Sequence, residues 1–358
     1  MRDFHSISKA PRRMHAILRP TLKVFSAVSF AVICPIASSA PNISETEYDS
    51  SQNSLLIRGS DFGNNLQFAL LDTVDQTEFS VMNGKPINFE YEGLWGNYGT
   101  QWAEPLIEKR MDSSLSKDEN ELYYGGPGRA NNSWLRPLSE INAKSLYVSW
   151  LYKPMKDPAA EGGSNKFIRI WDDKSGNNTR ISWTQMHLTY VAKDVPGSDG
   201  VSWGGWPGKV NSWNHHEIYV DSQDGTVKAW TNGELVHDVS DFVKSPTQTG
   251  LNVRLLGFDP SIGDPYSDME ILIDNLYVSS SPAKVFISDQ VSWDKTTAVA
   301  SQVQLPIDWS ENYIRIKFDS KSISQGNYLY VMNEDFEVNS QGYPLCLKCP
   351  ERPTLTID

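Results

Sequence analysis

Six polar or aromatic residues fall at alternating positions along what read as neighbouring strands: Arg169 and Trp171, Gln185 and His187, Glu217 and Tyr219. Side chains two apart on a strand share a face. A sheet that hides Ile168, Ile170, Ile181, Trp183, Met186, Leu188, Ile218 and Val220 would therefore turn all six outward, with Arg254 beside them. A guanidinium, an amide and an imidazole can hydrogen-bond hydroxyls or a carboxylate, and an indole offers a flat apolar face to the C–H side of a pyranose. Any half-solvated sheet also carries polar residues on one face, so the alternation argues for strands more strongly than for a groove.

Five further clusters bear on chemistry. Trp203 and Trp206 sit in the Gly-rich stretch 201–208, where a loop has little with which to bury two indoles, so contact with a sugar or a partner competes with packing over the sandwich edge. Asp172, Asp173 and Asn177 make an oxygen-rich turn that could take calcium, though such clusters are also ordinary turn formers; no cofactor is required. His215 and His216 are strand neighbours that point to opposite faces and cannot chelate one ion together. Cys346 and Cys349 have the spacing of a redox or zinc half-site, but with no second such pair they read as a local disulfide in an oxidising compartment. Gly200 to Gly204 satisfies Gly-x-Ser-x-Gly, yet a nucleophile elbow needs a strand before it and a helix after it, and this is a Gly/Trp loop.

The elements that must position these groups are strands. The chain has 358 residues with 12 Trp, 15 Tyr and 13 Phe, enough to fill a large core. Arg12, Arg13, Arg19 and Lys23 precede an apolar run from Val24 to Ala37 that ends in Ser38-Ser39-Ala40, the pattern of a cleaved secretory leader over 1–40 and too short to span a bilayer. The net charge of −12 opposes generic binding to nucleic acid or anionic lipid. The best helix candidate, Glu104 to Met111 with Pro105 in its first turn, is barely two turns long. Short alternating runs separated by Asp199-Gly200, Asp224-Gly225 and Asn232-Gly233 predict many hairpins and an all-β sandwich. Ser279-Ser280-Ser281-Pro282 reads as a domain break, which gives a first unit at 41–280, a small β-sandwich at 283–345 and a tail at 346–358.

The segments Trp213 to Asp221 and Asp224 to Val236, followed by Met269 to Val278, resemble the central hairpins and closing strand of concanavalin A-like and laminin-G-like jelly rolls. Residues 54–63 resemble the opening strand of an IPT/TIG immunoglobulin-like module, with too little following to complete one. Gln185-Met186-His187 resembles the Gln-Ile/Val-His motif of alginate-lyase-like jelly rolls, which implies His187 as base, Tyr219 or Tyr190 as acid, and Gln185 or Arg169 neutralising a substrate carboxylate, although that family's Arg-x-Glu-x-Arg and Tyr-Phe-Lys-x-Gly-x-Tyr strands are not found. The resemblance implies a concanavalin A-like jelly-roll sandwich followed by a small β-sandwich.

The expected role is recognition of a polysaccharide or glycan in the exported, periplasmic or cell-surface space, without catalysis, because no complete catalytic set can be assembled. The ligand-binding residues would be Arg169, Trp171, Gln185, His187, Glu217, Tyr219 and Arg254, with Trp203 and Trp206. The alternatives are a polysaccharide lyase acting by β-elimination on a uronate polymer, and an adhesive module that binds proteins through the Trp203/Trp206 loop. Neither nucleic acid nor membrane insertion is expected, and the oligomeric state is not legible.

Overall fold

The computed structural model describes residues 39–345, apart from 65, 76–84, 86, 88–93, 98–106, 112–120, 127–134, 138–140, 159–164, 174–175, 261–264 and 319–325. Residues 1–38 of the expected leader and the Cys346/Cys349 pair lie outside the described residues.

Strands dominate the described chain. The first are β1 (Asn42–Asp49), β2 (Ser54–Ser60), β3 (Ala69–Asp72), β4 (Trp95–Asn97), β5 (Ile107–Met111), β6 (Glu121–Gly125) and β7 (Leu135–Pro137). Next come β8 (Ser145–Pro154), β9 (Asn165–Trp171), β10 (Thr179–Thr184), β11 (His187–Ala192), β12 (Gly200–Trp203), β13 (Asn214–Asp221), β14 (Thr226–Thr231) and β15 (Glu234–Val239). The chain continues with β16 (Asn252–Pro260), β17 (Ile271–Ser279), β18 (Lys284–Ser288), β19 (Gln302–Gln304), β20 (Pro306–Trp309), β21 (Tyr313–Lys317), β22 (Tyr328–Met332) and β23 (Tyr343–Pro344). A short 3-10 helix, Lys295–Ala300, is capped by Asp294, whose carboxylate accepts from the Thr296 N–H. The helix expected over 104–111 is not formed in its described part: Ile107–Met111 is β5, paired antiparallel with β6. Two turns of sequence signal are too few to nucleate a helix against the offer of a neighbouring strand.

Two sheets make the large sandwich. One is seven-stranded in the order β12-β11-β10-β9-β16-β7-β4, and the other runs β15-β14-β13-β8-β17-β6-β5 with β3 added beside β17. Alternation decides most of what they hide: Trp150, Ile168, Ile170, Ile181, Trp183, Leu188, Ile218 and Val220 enter the shared core, and Phe167 joins them where the β9–β10 register shifts. The one departure from the expected inward set is Met186, which sits in the β10–β11 turn and is 40% exposed. The β14–β15 hairpin turns at Asn232 and Gly233, both with positive φ (52° and 78°), the geometry that Asn-Gly supplies at least cost.

The small sandwich is built from both ends of the described chain. β1 and β2 join β21 and β20 in one four-stranded sheet, and β18, β19, β22 and β23 form the other. Leu55 and Ile57 pack against Val285, Ile287, Ile314, Ile316, Leu329 and Val331. The IPT-like opening strand therefore does not start the large sandwich: Ser54–Ser60 pairs with Tyr313–Lys317, and the large sandwich is inserted between the two halves of the small one. A third cluster, Tyr147, Tyr277, Phe286, Tyr330 and Met332 with Tyr219 and Phe336 against it, joins the outer face of the larger sheet to the small sandwich.

Candidate functional site

The residues expected to share one groove are divided among three places. Arg169 and Trp171 lie on β9, with Arg254 on the adjacent β16. Trp171 is buried against Leu255, and the turn after β9 covers it, since a Cβ added at Gly176 would come 2.8 Å from its ring. Arg254 is buried too and donates from Nε to the Asp173 carbonyl at 3.0 Å. Gln185 is an interior strut: its Oε1 accepts from the Asn165 N–H at 2.8 Å and its Nε2 faces the Tyr266 hydroxyl at 3.4 Å. His187 begins β11, one strand in from the edge, and lies beside Trp203 of the edge strand β12, with ring centroids 5.0 Å apart. Glu217 and Tyr219 are on β13, in the opposite sheet. Tyr219 does not join Arg169 and His187, because an outward position on one sheet of a sandwich and an outward position on the other face opposite directions, and Gln185 is turned into the interior.

The two loop tryptophans also part company. Trp206 is half-buried, and its indole N–H donates to His216 Nε2 at 3.0 Å, deep among Trp150, Tyr152, Phe167 and Trp183. Trp203 is 70% exposed. The Asp172 turn is held by its own donors: Asp172 accepts from the Thr179 N–H (2.8 Å) and the Thr247 hydroxyl (2.7 Å) with Lys244 Nζ at 3.4 Å, and Asp173 accepts from the Gly176 N–H. Asn177 is exposed. Among the described residues no three His, Cys, Asp or Glu side chains are grouped to hold a metal ion.

What the structure does assemble is a cleft between the two sandwiches. Its volume is about 290 Å³. Its floor is the outer face of β13 and β14, where Glu217 pairs in register with Trp230, and where His215 is turned outward because His216 is turned into the core. Facing these are Lys284 and Phe286 from β18, Trp293 ahead of the 3-10 helix, and Phe336 from the turn after β22. Phe336 has φ of +64°, a conformation that a bulky side chain adopts only when its surroundings hold it there. It is wedged 5.1 Å from the Trp230 ring and 5.5 Å from the Tyr219 ring.

The floor carries a closed set of charges. Lys284 Nζ donates to Glu217 Oε1 at 3.2 Å and to the Tyr147 hydroxyl at 2.6 Å; the Tyr147 hydroxyl in turn donates to Glu217 Oε1, and His215 Nδ1 is 3.5 Å from Glu217 Oε2. Burial pushes the Glu217 carboxyl up, but Lys284, His215 and the Tyr147 hydrogen bond together hold it well below the ordinary carboxylate range. Burial and then the charge of Glu217 push the Tyr147 phenol well above its usual value. Both groups thus keep their protonation states near neutral pH, fixing charge in place without shuttling it. Sequence reading found Glu217 and missed Lys284, Tyr147, Trp230, Trp293 and Phe336. The available signal was the outward parity of Tyr147 and Trp230 with Glu217; nothing local pointed to Lys284.

No family model matches the chain, and no curated protein matches it. Among solved structures it is similar to a mutant of HCR/D, at 15% identity and a TM-score of 0.33 over 52% of this chain; the match spans about half, 48%, of that one. It is similar to domain 4 of AbnA, a GH43 extracellular arabinanase from Geobacillus stearothermophilus, in complex with arabinotriose, at 16% identity and a TM-score of 0.32, covering 67% of this chain and 93% of that one. A likeness to the alginate lyase Aly36B has 16% identity and a TM-score of 0.32, covering 59% and 96%.

Proposed function

We propose that the protein is an exported carbohydrate-binding β-sandwich protein of the concanavalin A-like kind, non-catalytic, whose glycan ligand enters the cleft between the two sandwiches. The observation that carries this reading is the composition of the cleft: Trp230, Trp293 and Phe336 as walls, above a Glu217–Lys284 pair whose charges already balance. Ligand sites are mostly apolar concavities with a few convergent polar groups, of about 300–1,000 Å³. This cleft is at the small end, which suits one sugar ring or a chain terminus better than a length of polymer. Aromatic rings accept the apolar side of a pyranose, while the carboxylate and ammonium hydrogen-bond its hydroxyls.

Binding is favoured over chemistry because a general acid or base works best with a pKa near the operating pH, and Glu217 and Tyr147 are driven away from it in opposite directions. The lyase alternative loses its support with the dispersal of Gln185, His187 and Tyr219. Export rests on the leader-like residues 1–40. A glycan array followed by titration calorimetry tests the proposal: Trp230→Ala should abolish binding or weaken it at least about tenfold, while Trp171→Ala, once shown to fold, should leave it unchanged. Equal binding by Trp230→Ala and wild type would sink the cleft as the site.

A further inference from the structure

Trp203 is the most open large apolar side chain among the described residues. It is nevertheless rigidly placed. It ends β12 in register with His187 of β11, and the two rings lie at 52° to one another. His187 is itself fixed by the turn before it, where the Thr184 hydroxyl oxygen accepts from the N–H groups of Met186 (3.4 Å) and His187 (3.2 Å). Trp206 ties the following loop to the core through His216, so Trp203 is presented on a braced frame.

A flat apolar ring with an imidazole alongside fits a sugar better than a protein partner. The exposed apolar neighbours of Trp203 on this edge are Met186 and Val201. One indole, one thioether and one isopropyl group fall well short of the roughly 800 Å² per partner that a stable protein interface buries. A single pyranose face needs only the indole. The patch also adjoins the cleft through one strand, β15. Leu235 of β15 lines the cleft, while Val236 and His237 abut Gly204, where an added Cβ would come 2.9 Å and 3.1 Å from them. His237 Nδ1 lies 3.0 Å from the Ser202 hydroxyl and fastens β15 to β12.

We propose that Trp203 and His187 form a second sugar contact, stacking a pyranose ring of a polysaccharide whose terminus occupies the cleft on the other side of β15. This rests on the cleft reading and adds to it that the ligand is a chain, held at two points. Two linked contacts raise apparent affinity for a polymer over that for a fragment too short to reach both.

The full chain, with residues 1–40 removed by processing, would be run in affinity electrophoresis against soluble arabinan, xyloglucan, galactomannan, pectin and alginate. Calorimetry would follow with the disaccharide and the long oligosaccharides of whichever polymer retards it. Trp203→Ala should weaken polymer binding by at least about tenfold and leave disaccharide binding unchanged, and Trp203→Phe should restore most of the loss. Trp230→Ala should weaken both ligands. Undiminished polymer binding by Trp203→Ala overturns the second contact while leaving the cleft intact. Retardation that survives Trp230→Ala but not Trp203→Ala overturns the cleft and keeps Trp203 as a sugar contact. Wild-type protein that ignores all five polymers overturns both.

Discussion

Lys284 of the small sandwich reaches across to Glu217 of the large one at 3.2 Å, so the pair that floors the cleft also clamps the two sandwiches together. Both side chains are largely shielded from water, 5% and 13% exposed, where an ion pair is costly to break even if its net contribution is small.

Lys284→Met should therefore destabilise the protein by about 3–5 kcal/mol in urea unfolding at neutral pH, because Glu217 is left charged and buried. Adding Glu217→Met should recover much of that loss. The sign with pH follows from the lowered carboxyl: the contribution of Glu217 is full above the unfolded value of 4.5 and is lost as pH falls below it. The deficit of Lys284→Met should accordingly narrow in acid, once Glu217 takes up a proton. A deficit independent of pH would show that the pair is not what joins the sandwiches.

His216 supplies a second acid response. Burial, and then the charge of His215, hold it neutral well below the ordinary value of 6.5. The unfolded chain binds a proton there as pH drops below about 6.5 while the folded chain does not, so stability is full above that pH and declines beneath it. His216→Phe should flatten part of this slope from about pH 7.5 downward, most of all below about pH 5.5, where the unfolded chain carries the proton and the folded chain still does not. Its baseline should fall by about 1 kcal/mol through loss of the Trp206 hydrogen bond. His237, lowered to about 4 by burial and then by His187, keeps some slope in the variant.

Gly233 and Gly197 separate backbone strain from steric collision. Both have positive φ, 78° and 79°, but a Cβ at Gly233 would come 2.7 Å from Lys295 Cβ and 3.0 Å from its backbone, whereas nothing lies within 4 Å at Gly197. Gly197→Ala should cost about 1 kcal/mol. Gly233→Ala should cost a further 1–3 kcal/mol, roughly, by pushing the 3-10 helix off the β14–β15 turn. It should also weaken glycan binding, since Gly233 and Lys295 border the cleft. Equal melting temperatures for the two variants would contradict the packing described here.

Gln185→Leu distinguishes a strut from a binding group. The Asn165 N–H loses its buried acceptor, which should lower stability by about 1–3 kcal/mol in thermal unfolding. Glycan affinity of the folded fraction should not change. A folded variant with wild-type stability and impaired binding would return Gln185 to the site.

Alternation, β-branched runs and Asn-Gly or Asp-Gly turns were enough to read the all-β class and the burial of Ile168, Ile170, Trp183, Ile218 and Val220, because these depend on a residue's immediate neighbours. The outward parity of Glu217 was legible for the same reason. What covers an outward face was not. Residues 54–60 find their partners at 313–317, Lys284 meets Glu217 across 67 positions, and Trp171 is buried against Leu255. Parity along a strand says which side chains go together; only the folded chain decides whether that side meets water, a loop or another sheet, since contacts distant in sequence leave no local periodicity to read.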